Sequence, residues 1–122
     1  DSRIYRWRGG ALQQMTHDHT LYQQALERGM PEPLPPRNLL LQAIGPGPDV
    51  EPDVAALPLE PGDLFLLCSD GLYGDARPGA IEAILARAAA DGLEPACAAL
   101  IDMAKQDGSR DNITAILLAC PA

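Results

Sequence analysis

Residues 64–68, Leu-Phe-Leu-Leu-Cys, form an unbroken apolar run that stops at Ser69-Asp70-Gly71. Five residues are too few for a helix, and a half-exposed strand would alternate with polar residues. The run therefore predicts a central strand covered on both faces. The pattern recurs at residues 113–120, a nearly all-apolar stretch entered directly from Asp111-Asn112. A chain with two such strands sets a carboxylate at the margin of its core twice. That is costly unless a cation or hydrogen bonds compensate the charge.

The rest of the chain supplies the frame. Tyr5 and Trp7 alternate with Arg6 and Arg8, which predicts a strand. Gly9-Gly10 can take positive φ at both turn positions, so residues 11–16 return as the partner of a hairpin. Thr20 can cap a helix over residues 20–28 with Leu21, Ala25 and Leu26 on one face, and Gly29 can end it. Four prolines within residues 30–36 predict a surface loop. The apolar period of residues 39–44 does not separate strand from helix. Residues 50–59, flanked by prolines, predict a strand near a sheet edge, and Pro61-Gly62-Asp63 a tight turn. Ile81, Ile84, Leu85 and Ala88 mark a helix over residues 78–90 with Pro78 in its first turn. A second helix from Pro95 buries Cys97, Leu100, Ile101 and Ala104, with Met103 off that stripe. Strands cluster and the two long helices are adjacent, so the expected class is α+β with helices stacked on sheets.

A chain of 122 residues is one domain or part of one. Its net charge of -8 argues against nucleic acid as a partner, because phosphate contacts need clustered Lys and Arg. No apolar run approaches 18 residues, so no membrane span is expected, and the opening residues do not read as a secretory signal. Cys68, Cys97 and Cys120 each sit in apolar context, which suits buried thiols in a reducing, cytoplasmic setting. No Cys/His spacing suggests zinc.

Asp70 and Asp111 are the candidates that carry chemistry. Magnesium and manganese take oxygen ligands, and Gly71 allows a sharp turn or a close approach. The plain alternative is that Asp70 is a turn or helix-cap residue and Asp111-Asn112 an Asx turn; on these two segments alone it is the simpler reading. If the two strands are neighbours, the helices between them can return Asp111 to the sheet end that carries Asp70. His17 and His19 form an HxH without a third ligand at matching spacing, and Asp49, Glu51 and Asp53 suit a solvated edge. Ser2, Ser69 and Ser109 lack a nucleophile elbow, and Cys68 lies too deep in its run to be reactive.

Four segments taken together resemble one family. They are DSRIYRWRGGALQQMTHDHTL, PRNLLLQAIG, VEPDVAALPLEPGDLFLLCSDGL and SRDNITAILL. In this order, and across nearly the whole chain, they are similar to the type 2C metal-dependent serine/threonine protein phosphatases of bacterial type. The set CSDGL, DNIT and an upstream DSR is the specific part. The resemblance implies an antiparallel β-sandwich flanked by helices, here incomplete. It also implies two or three Mn2+ or Mg2+ ions in the complete domain and attack of a metal-activated water on phosphoserine or phosphothreonine of a phosphoprotein.

By the same resemblance, Asp70 and Asp111 would bind a metal of the catalytic pair, and Asp1 with Asp70 a third ion. Gly71 and Asn112 would support these ligands, and residues 20–44 would be the flap beside the site. The chain departs from the family in its short, proline-rich flap and in YGDARPG, which lacks the usual acidic helix start. It also lacks the family's Asp-Gly-x-Gly-Gly-His motif, its upstream acidic motif and its phosphate-binding Arg. The expectation is a C-terminal half spanning residues 1–122, inactive alone and paired with the missing half or another chain. Two alternatives are a non-catalytic type 2C-like interaction or regulatory module and a generic acidic domain that binds divalent cations weakly.

Overall fold

The computed structural model describes residues 1–30, 32–35, 40–41, 47–49 and 51–121. They group into two units, one of Asp1 with His17–Ala56, the other of Ser2–Thr16 with Leu57–Ala122.

The larger unit is built on one four-stranded antiparallel sheet. Strands β1 (Arg3–Arg8) and β2 (Ala11–Gln14) form the expected hairpin, and Gly9 and Gly10 take φ of 56° and 79°, as a tight two-residue turn requires. After Gln14 the pairing survives as one bond, Met15 N–H to the Ile4 carbonyl. Strand β3 (Leu64–Cys68) lies between β1 and β4 (Ala115–Ala119), giving the order β2-β1-β3-β4. The central position expected for β3 is therefore correct.

Register decides which residues meet the core. Tyr5 pairs with Leu66 and Leu66 with Leu117, so these three share one face with Trp7, Leu64 and Cys68. Three helices pack there: the single turn α2 (Asp70–Tyr73), α3 (Ala80–Asp91) and α4 (Leu93–Gln106). Leu72, Ile81, Leu85 and Leu100 join Tyr5, Leu66 and Cys68 in one cluster. Ala88 and Ala96 close against Leu64, their small size letting α3 and α4 approach the sheet.

The other face carries Ile4, Arg6, Phe65, Leu67, Ile116 and Leu118. Ile116 and Leu118 are 50% and 53% exposed. Burial of β3 on both faces is thus corrected: within this unit all the helices lie on one side, and Phe65 and Leu67 are only half-buried. The described residues of this unit build one sheet with its helices, an incomplete form of the expected sandwich.

Three further expectations change. Residues 51–60 are irregular and exposed rather than a strand. Pro52 and Pro58 remove backbone donors that a ladder needs. Helix α3 starts at Ala80, with Pro78 in the turn before it, because Gly79 adopts φ 80° and interrupts the helical path. Met103 packs, half-buried, against the core instead of lying off it.

In the smaller unit, α1 (Leu21–Glu27) starts as predicted, Thr20 Oγ1 accepting from the Gln23 N–H at 3.1 Å. Gly29, at φ 64°, follows its end. Only Ala25 of the expected face is buried, while Leu21 and Leu26 are exposed. Of residues 39–44 only Leu40 and Leu41 are described: Leu40 bridges Thr20, and the Leu41 N–H donates to the His19 carbonyl. The remainder of that segment, Val50, and part of the proline-rich loop and flap lie outside the described residues. The two histidines pair separately with carboxylates, His17 with Glu27 at 2.7 Å and His19 with Asp53 at 2.9 Å. No helix among the described residues is long and apolar enough to cross a membrane.

Candidate functional site

Antiparallel pairing of β3 with β4 sets the end of the first beside the start of the second, with Cys68 opposite Ala115. The chain start of β1 is at the same sheet end, Arg3 opposite Cys68. Ser69 extends the ladder one step. Its N–H donates to the Thr114 carbonyl, and its Oγ accepts from the Thr114 N–H at 3.0 Å and donates to the Asn112 carbonyl at 3.2 Å.

Asp70 follows as the first residue of α2, half-buried, its carbonyl accepting from the Gly74 N–H at 2.8 Å. Gly71 is buried, and its lack of a side chain is a packing requirement. A Cβ there would overlap the Asn112 carbonyl oxygen and stand 3.3 Å from Asp111 Cβ. The hydroxyl of Ser109 donates to the Gly71 carbonyl at 2.6 Å. The Gly71 backbone, next to Asp70, is therefore packed directly against the Asn112 carbonyl and beside Asp111 Cβ.

Of the plain roles weighed for these aspartates, one occurs in part: Asp70 opens a helical turn whose cap position is Ser69. Asp111 Oδ1 accepts the N–H of the adjacent Asn112 at 2.7 Å, one residue short of the bond that defines an Asx turn. Local turn chemistry does not account for the close contact at Gly71, which joins segments far apart in sequence. Asp111 is exposed. Asp1 belongs to the smaller unit and is half-buried. The larger unit brings together Asp70, Gly71, Asp111 and Asn112. Among the described residues no group of three or more His, Cys, Asp or Glu side chains is arranged to hold a metal ion.

Sequence reasoning missed two neighbours. The Arg3 guanidinium lies 3.8 Å from the centroid of the Tyr73 ring, and its Nη1 donates to the Tyr5 hydroxyl at 2.8 Å. The Arg3/Tyr5 proximity was available from strand alternation, but the stack on Tyr73 depends on α2, a single turn with no periodicity to detect. Cys68 is buried as expected, and burial pushes its thiol up to about 12, with Arg3 partly opposing; a thiolate nucleophile is not available there. Ser69 and Ser109 both spend their hydroxyls on backbone groups.

The opposite end of β3 holds another aspartate. Asp63 is 1% exposed, and Arg8 meets it with two bonds, Nε to Oδ1 at 2.7 Å and Nη2 to Oδ2 at 2.6 Å. The Glu60 N–H adds a third bond at 2.9 Å. Hydrogen bonding to Arg8 outweighs burial and holds the carboxyl at about 2.

A profile for stage II sporulation protein E (SpoIIE) matches residues 13–121. Protein phosphatase PhpP of Streptococcus pneumoniae is 35% identical over 126 residues, covering 98% of this chain and 50% of PhpP. Serine/threonine protein phosphatase PstP of Mycobacterium tuberculosis is 34% identical, with 96% of this chain covered and 23% of PstP. Among solved structures, the S. agalactiae serine/threonine phosphatase superposes with a TM-score of 0.88 at 31% identity, over 98% of this chain and 51% of that one. The catalytic domain of PstP in complex with two manganese ions gives 0.73 at 32% identity, over 96% and 49%. The chain thus spans about half the length of PhpP and of the two solved structures, and 23% of PstP.

Proposed function

The chain belongs to the SpoIIE-type, type 2C family of serine/threonine phosphatases, and on that premise we propose that it forms part of an enzyme that hydrolyses phosphoserine and phosphothreonine in proteins. In this reading Asp70 and Asp111 hold a divalent ion, manganese or magnesium, and Asp1 contributes to a further ion. The observation that carries it is the packing of Asp70-Gly71 against Asp111-Asn112 in a fold matching phosphatases over nearly its whole length. The donor set fits: both side chains offer oxygen only, the ligand type that hard cations select. A bound divalent ion supplies an activated water at neutral pH and offsets charge on the transferring phosphoryl group.

The chain's own residues set the place for this. Ser69 carries the β3–β4 ladder to the start of α2 and so fixes where Asp70 leaves the sheet. Asp111 holds its own loop through Asn112, and the Asn112 backbone rests on Gly71. Two carboxylates are a partial ligand set, so the chain alone is inferred not to turn over, and the remaining ligands come from the rest of the full-length protein. The free thiols, Cys68 buried among them, support a cytoplasmic setting.

The test is phosphopeptide hydrolysis by the full-length protein with manganese, alongside manganese titration by calorimetry. Asp70→Asn is expected to weaken manganese binding and to lower kcat/KM by at least about 100-fold, since even residues that only orient metal ligands cost about 10–100-fold. Unchanged activity in Asp70→Asn removes the site assignment. A non-catalytic type 2C-like module is the second reading, favoured by the short, proline-rich flap. Full-length protein that neither binds manganese nor cleaves phosphopeptide establishes it.

A further inference from the structure

Helix α2 is one turn, Asp70–Tyr73, closed by the bond from the Gly74 N–H to the Asp70 carbonyl. A helical nucleus of that length has no stability of its own, because fixing its dihedrals costs more than one bond returns. Whatever holds Asp70 in position must act on α2 from outside. Four contacts do so. Leu72 is fully buried in the core, and Gly71 rests on the Asn112 backbone. The Ser109 hydroxyl takes the Gly71 carbonyl, one of the last-turn carbonyls that a helix leaves without a partner. The Arg3 guanidinium stacks on Tyr73, the last residue of the turn, while its Nη1 is tied to Tyr5 in the sheet.

We propose that Arg3 and Ser109 are positioning residues that clamp α2 from two sides, Arg3 from β1 and Ser109 from the α4–β4 loop, and so fix the Asp70 carboxylate. The inference rests on the reading of Asp70 as a metal ligand. Neither residue is assigned a contact with the metal or the substrate.

The sign of one effect separates positioning from simple electrostatics. Arg3 is a cation near a proposed cation site, so removing its charge would tighten manganese binding if charge alone mattered. Positioning requires the opposite. The experiment titrates manganese calorimetrically into full-length protein carrying Arg3→Gln, Ser109→Ala, Ser109→Thr or Asp70→Asn. Hydrogen exchange is followed at the Gly74 and Leu66 amides in the same proteins. Arg3→Gln and Ser109→Ala are expected to weaken binding by about 10–100-fold and to speed exchange at Gly74 while sparing Leu66 in the sheet. Ser109→Thr, which keeps the hydroxyl, should restore most of both.

The inference is overturned if Asp70→Asn weakens binding while Arg3→Gln and Ser109→Ala leave it unchanged or tighter. It is also overturned if exchange rises equally at Gly74 and Leu66, the mark of general destabilisation. If Asp70→Asn itself leaves manganese binding intact, the underlying metal reading fails, and the clamp falls with it as a device for metal binding.

Discussion

Strand β3 has an aspartate close to each end, and the two could hardly be treated more differently. Asp63 is sealed from solvent and gripped by the fork of Arg8 and a backbone N–H. Asp70 is half-buried on a one-turn helix whose supports are contacts with its backbone and with its neighbours. A carboxylate compensated inside the fold contributes to stability and has little left to offer a ligand. One held in place mainly through its surroundings keeps its charge available for one. The contrast teaches that an aspartate at the end of a buried strand is not a functional signal by itself; the company of its oxygens decides.

The largest expected effect comes from changing each aspartate to the amide in the full-length protein. Asp70→Asn should cost at least about 100-fold in phosphopeptide kcat/KM with the thermal midpoint nearly unchanged. Asp63→Asn should lower the thermal midpoint and leave manganese affinity alone. A reversed pattern, read by calorimetry and kinetics together, breaks the comparison.

Next comes the root of the corner that carries Asp70 and Asp111. Leu72→Ala removes a fully buried side chain from under α2 and should destabilise the protein by about 2–5 kcal/mol in urea unfolding. Gly71→Ala should cost less, about 1–3 kcal/mol, because the Asn112 loop must shift to admit a Cβ. Its sharper consequence is weaker manganese binding, since the shift separates the two aspartates' backbones.

The smallest effect is confined to acid. Asp63 titrates near 3.8 in an unfolded chain and at about 2 in the fold, so its contribution is fully present above roughly pH 4 and is lost as pH falls through 2. Arg8→Gln should therefore show a stability deficit that is complete above about pH 4 and closes toward pH 2, measured by urea midpoints across that range. A deficit independent of pH there would mean that Arg8 acts by packing rather than by charge.

Much of this frame was legible in the residues. Gly9-Gly10 between alternating segments gives the hairpin, and Ile81, Leu85, Ala88 and Leu100 declare the inward stripes of α3 and α4. These signals are local, so a linear reading reaches them. Residues 51–60 misled because an apolar-polar pattern between prolines resembles an edge strand, yet a strand also needs a partner with donors to meet. The pairing of Arg8 with Asp63 escaped because it spans 55 positions, and each residue alone looked like a solvent-facing charge near a turn. At the candidate site the residues of interest were visible as short motifs, and their company established the resemblance. The contact between Gly71 and Asn112, and the stack of Arg3 on Tyr73, required the closed sheet.

That closure also has a temporal side. The bonds between Ser69 and Asn112 and between Ser109 and Gly71 join residues 43 and 38 positions apart, with α3 and α4 wholly inside the loop. Chain entropy must be overcome across that whole excursion before the corner exists, and such contacts form slowly relative to the helices they enclose. A refolding chain would recover helical circular dichroism first and the Asp70–Asp111 corner afterwards. The corner can thus serve as a clock for the completion of the β3–β4 pairing.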